Sequence, residues 1–61
     1  MAYYIITLDP STYSSSESAE AAIAGTGAKV SRTYGFPLTY GAEATASQIA
    51  SLAGVLRSEN S

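Results

Sequence analysis

Cysteine, histidine and tryptophan are all absent from this 61-residue chain, which also has one methionine, two prolines and three cations. Without cysteine, no disulfide or thiolate metal site can staple so short a chain, and its fold must rest on packing alone. Without histidine, the commonest zinc ligand and the commonest general base are both missing. The composition therefore argues against triad and metalloenzyme chemistry. The expectation is a protein that is not an enzyme, with no catalytic residue, no metal site and no cofactor. Lys29, Arg32 and Arg57 are scattered and are outnumbered by Asp9, Glu17, Glu20, Glu43 and Glu59, for a net charge of −2. They cannot neutralise a phosphate backbone, so nucleic acid is not an expected partner. No apolar run approaches the roughly 20 residues needed to cross a membrane, and the N-terminus lacks the basic and apolar regions of a signal peptide. A cytoplasmic protein without a membrane partner is expected.

What is present is a single domain, residues 1–61, close to the size at which a core can hold a chain folded unaided. Much of the 46% hydrophobic content is alanine, which contributes little apolar area, so the core should be thin. Large apolar residues follow one another without a breaker only in Tyr3-Tyr4-Ile5-Ile6-Thr7-Leu8. Aromatic and β-branched residues dominate this stretch, and it is too short for a helix. As a strand it points Tyr4, Ile6 and Leu8 to one side and Tyr3, Ile5 and Thr7 to the other. Both sides are largely apolar, which predicts a central strand.

Asp9-Pro10-Ser11 is turn material. Ser14 with Glu17 reads as a capping box, followed by the thin stripe Ala19, Ala22 and Ile23 of a helix that Gly25-Thr26-Gly27 ends. That glycine pair follows a helix rather than preceding one, so it is not a phosphate loop. The stretch 28–34 alternates as a half-solvated edge strand, with Val30 inward and Lys29, Ser31 and Thr33 outward. Gly35-Phe36-Pro37-Leu38 turns the chain into a third strand, 39–44, with Tyr40, Ala42 and Ala44 inward. Thr45 with Gln48 is a second capping box, opening a helix with Ala46, Ile49, Ala50, Leu52 and Ala53 on its apolar side that stops at Gly54. Residues 55–59 suffice for a short fourth strand.

The order β-α-β-β-α-β predicts an α+β, ferredoxin-like fold: a four-stranded antiparallel sheet with two helices on one face and the first and third strands central. The other face, carrying Tyr3 and Ile5, is left uncovered.

Tyr4-Ile5-Ile6-Thr7-Leu8, Gly27-Ala28-Lys29-Val30, Tyr34-Gly35, Tyr40-Gly41-Ala42-Glu43-Ala44-Thr45, Gln48-Ile49-Ala50-Ser51-Leu52, Gly54-Val55 and Ser58-Glu59 come in an order and spacing that resemble the subtilisin propeptide and proteinase inhibitor I9 family. The weight lies in the series, which spans the chain, and not in any one piece. Members are prodomains of subtilisin-like serine proteases or free-standing intracellular inhibitors of them. Met1, with no protease domain following, points to the second kind. The resemblance implies a partner, a subtilisin-like serine protease, and a mode of binding in which the uncovered sheet face packs on two protease helices. Glu59 matches the family's acidic residue that caps a protease helix N-terminus, and Ser61 matches a second position that is commonly Asp. The family's inhibitory tail would begin where this sequence stops, so no residue matches the one that fills the primary specificity pocket. Thr39 and Ala44 stand where the family usually has a glycine and a larger residue.

The residues expected to bind protease are thus Tyr3, Ile5 and Leu56 on the outer sheet face, with Glu59, Asn60 and Ser61 at the C-terminal end. The alternative is a structural or self-assembling protein that reuses the fold, with the outer face or an edge strand as its homo-oligomer interface.

Overall fold

The computed structural model describes residues 2–35 and 38–61; Phe36 and Pro37 of the expected turn, and Met1, lie outside these. Six elements follow in order: β1 (Ala2–Leu8), α1 (Ser16–Gly25), β2 (Lys29–Thr33), β3 (Thr39–Ala44), α2 (Ala46–Ala50) and β4 (Val55–Asn60). The strands form one antiparallel sheet in the order β2-β3-β1-β4, so the doubly apolar β1 is central and β2 and β4 are the edges. This is the mixed α+β arrangement read from the sequence, and it is compatible with a ferredoxin-like fold.

The inward alternation holds along the central strands. Ile6 and Leu8 of β1 and Tyr40, Ala42 and Ala44 of β3 pack with Ala19 and Ile23 of α1 and Ile49 of α2 in one core. Three of these eight residues are alanines, and the volume they leave falls to Tyr40, the largest fully buried side chain. Its hydroxyl would be costly to bury alone. It donates to the Ser16 carbonyl at 3.1 Å and lies 2.8 Å from Ser16 Oγ, which ties β3 to the first residue of α1.

The helices depart from expectation in two places. Serine at position 15, not 14, caps α1: Ser15 Oγ accepts from the Ser18 N–H at 3.1 Å, and Ser18 Oγ in turn accepts from the Ser15 N–H at 3.3 Å. Three consecutive serines offer the same hydroxyl, and Ser18 can close the box from the third helical position as Glu17 could have done one residue earlier. The end of α1 is as read, with Thr26 as cap and Gly27 at φ +95°, a conformation that suits glycine. The second capping box, Thr45 with Gln48, is present, but α2 is a short helix of five residues, not one running to Gly54. Ser51 ends it by turning its hydroxyl onto the Gln48 carbonyl at 2.8 Å. Ala50 and Ala53 are consequently exposed, and Leu52 packs against the core from the loop.

The second strand also departs. Lys29 pairs with Glu43 and Val30 with Ala42, but Arg32 then pairs with Gly41, leaving Ser31 as an extra residue in a bulge. The bulge reverses the alternation. Arg32 therefore takes the outer side, and Thr33, expected outward, pairs with the inward Tyr40 and donates to Glu20 of α1 at 3.4 Å. At the other end of the sheet, the Tyr13 hydroxyl donates to the Ala53 carbonyl at 2.6 Å and joins the loops that flank the helices. No helix among the described residues is long and apolar enough to cross a membrane.

Candidate functional site

Residues opposite one another in an antiparallel sheet share a face, so the pairing fixes what the uncovered side carries. Ile5 of β1 is flanked by Gly41 of β3 and Glu59 of β4. Tyr3 lies opposite Glu43, and Thr7 lies between Thr39 and Arg57, its hydroxyl 3.4 Å from that of Thr39. Lys29 and Arg32 extend this face on β2.

Tyr3 does not stand out from the sheet. A methyl group placed on Gly41 would lie 1.9 Å from the Tyr3 hydroxyl oxygen, so the ring lies across the sheet over the glycine. A strand-interior glycine often marks such a close approach. The Tyr3 phenol thereby reaches Tyr34 at the end of β2, and the guanidinium of Arg32 sits 5.9 Å from the Tyr34 ring centre. Hydrogen bonding to Tyr34, and after it partial burial, holds the Tyr3 phenol above the usual tyrosine range; Glu43 pushes the same way and Arg32 opposes. The face therefore has an aromatic and aliphatic centre, Tyr3 and Ile5, between Lys29, Arg32 and Glu43 on one flank and Arg57 and Glu59 on the other.

The residues expected to bind divide accordingly. Tyr3, Ile5 and Glu59 come together on one face. The Glu59 carboxylate is engaged by the guanidinium of Arg57, two residues back on the same strand, with Arg57 Nε donating at 3.1 Å and a second contact from Arg57 Nη2. Leu56 is 60% exposed and lies in an irregularity of β4, where the pairing steps from Thr7–Arg57 to Leu8–Val55. Asn60 pairs with Tyr4 and so belongs to the helix side of the sheet. The Ser61 N–H donates to the Tyr3 carbonyl at 2.7 Å, holding the C-terminal residue along β1.

Sequence reasoning missed Arg32 and Tyr34 as members of this face, because the bulge that turns Arg32 outward leaves no mark in the sequence. Gly41 could have been found: a glycine inside a strand, beside an aromatic-rich neighbour, invites a ring across it.

Among the described residues no three His, Cys, Asp or Glu side chains converge as a metal site. An open groove of about 590 Å³ runs between α1 and β2, lined among others by Glu17, Glu20, Ala24 and Lys29, away from Tyr3 and Ile5. The outer face thus presents an apolar centre within a rim of both charges. No protein-family model matches the chain, and no curated protein or solved structure matches it at a significant level.

Proposed function

We propose that this chain is an inhibitor or folding chaperone of subtilisin-like serine proteases, docking through the uncovered sheet face and its C-terminal strand. One observation carries the reading: β1 is central and the chain end runs antiparallel beside it, so Tyr3, Ile5 and Glu59 share a face that no helix covers. The apolar pair would pack on the protease surface and Glu59 would cap one of its helices. To do so, Glu59 must exchange Arg57 for helix N–H groups. The side chains of Arg57 and Glu59 are 73% and 56% exposed, and so exposed a pair contributes about 0–1 kcal/mol. A cap contributes roughly 0.5–2 kcal/mol, so over most of these ranges the exchange is favourable.

The test is a titration of a broad-specificity subtilisin with the intact chain, following residual peptidase activity and integrity of the added protein together. Stoichiometric, lasting loss of activity is expected. Glu59→Gln, which keeps the strand and removes the charge, should weaken inhibition by about five- to tenfold. Full peptidase activity at large excess of undegraded chain would overturn the reading.

A further inference from the structure

The two edges of the sheet are finished differently. The β2 edge carries two exposed cations, Lys29 and Arg32, and is interrupted by the bulge at Ser31. Cations and bulges are the devices that keep an edge strand from pairing with another chain. From Arg57 to Asn60 the β4 edge has neither a bulge nor a charge of only one sign.

The register also settles which backbone groups of β4 face outward. The Ser61 N–H bonds to the Tyr3 carbonyl, and the Leu8 N–H bonds to the Leu38 carbonyl on the β3 side. Antiparallel residues alternate in the direction of their polar groups. Arg57, Glu59 and Ser61 therefore turn their backbone groups toward β1, while Ser58 and Asn60 turn theirs to the free edge.

We propose that a second copy of this chain docks antiparallel on this edge, β4 against β4 about a two-fold axis at Ser58, extending the sheet to eight strands. Charge selects the register. With Ser58 opposite the partner's Ser58, the outward backbone groups of both meet. In the same register Arg57 falls opposite the partner's Glu59, and Glu59 opposite the partner's Arg57, on the outer face and at the closer, non-hydrogen-bonded spacing. The existing Arg57–Glu59 pair becomes half of a square of alternating charge. Sliding the strands to the next permitted register either way sets Glu59 against the partner's Glu59 or Arg57 against the partner's Arg57, both repulsive. The two-fold is closed, and the bulged, cationic β2 edge stops further addition. The inference rests on strand order and register and is independent of the protease reading.

The experiment is sedimentation velocity on the full chain over a roughly hundredfold concentration range up to about 1 mM. A single strand pairing is a small interface, so a monomer–dimer equilibrium with a dissociation constant on the order of 100 µM is expected, the larger species having twice the 6.3 kDa of the chain. Arg57→Glu and Glu59→Arg should each weaken it by about tenfold or more, since two attractive pairs become two repulsive ones. The double exchange R57E/E59R should restore it. Ser58→Pro removes an N–H that points away from β1, so it should abolish the dimer and leave the circular dichroism spectrum of the monomer intact. A wild-type chain that stays monomeric at about 1 mM would overturn the proposal. So would single charge reversals that dimerise as well as the wild type, or growth into an open polymer.

Discussion

On the helix side of the sheet Ile6, Leu8, Tyr40, Ala42 and Ala44 are sealed from water, whereas on the other side of the same strands Tyr3, Ile5 and Thr7 keep part of their surface exposed within a rim of charge. Each face leans on one tyrosine. Tyr40 fills a core in which four of the ten described buried residues are alanine and anchors its hydroxyl on Ser16; Tyr3 lies over Gly41, covering backbone that no helix protects. The inner tyrosine is fixed because its surroundings are closed. The outer one is held by its strand and by its hydrogen bond to Tyr34, and keeps part of its surface exposed. A strand with two apolar sides thus builds the core with one and leaves the other partly exposed.

Substitutions on the inner face should be far more damaging than those on the outer face. Ile6→Ala opens a cavity in a core with little to collapse into it and should cost roughly 2–5 kcal/mol. A domain of this length has about 3–9 kcal/mol in total, so this variant should lose roughly half of its stability and melt far below the wild type by circular dichroism. An unchanged melting temperature would erase the contrast between the faces. Tyr40→Phe keeps the ring and removes only the bonds to Ser16, so urea denaturation should register a loss of about 1 kcal/mol.

On the outer face, Gly41→Ala pushes the Tyr3 ring off the sheet instead of straining the backbone, because the atom in the way is the end of a flexible side chain. Its effect should stay within about 1 kcal/mol. With Tyr3→Ala already in place the same substitution should turn neutral or stabilising, since alanine suits a strand better than glycine. Equal effects in both backgrounds would show that Tyr3 does not lie over Gly41.

Asp9 serves neither face and makes a control. Its carboxylate accepts from the Ser11 N–H at 2.9 Å and the Ser11 hydroxyl at 2.8 Å, which hold it below the usual carboxylate range. The stabilisation is present above the ordinary aspartate value and is lost as pH falls through that value toward the folded one. Asp9→Asn should lower stability slightly at neutral pH and converge with the wild type at low pH, flattening the acid limb of a stability–pH profile.

Much of the fold was legible in the sequence because local signals agreed with one another. The alternation of β1 and β3, the glycines after α1 and the Thr45–Gln48 box each point to the element that forms. The failures are local competitions between equivalent groups. Ser14 and Ser15 could both cap α1, and the winner depends on which hydroxyl the loop from β1 delivers. The length of α2 was decided by Ser51 bonding back to Gln48, against alanines whose helix propensity would have carried it further. The outer face was half legible. Tyr3 and Ile5 follow from simple alternation, but the bulges at Ser31 and near Leu56 shift parity by one residue. That shift moved Arg32 onto the face, and the pairing puts Asn60 on the helix side. Parity errors of this kind arise in pairing with a neighbour, which no window along one strand contains.

The most direct measurement is a map of backbone amide shifts in labelled chain on addition of an active-site-blocked subtilisin. Docking on the outer face should concentrate the changes at Tyr3, Ile5 and Thr7 and at Arg57 to Ser61, with the helix amides of Ser16 to Gly25 nearly still. Unperturbed spectra at saturating protease, or changes centred on α1 and the groove beside it, would contradict it.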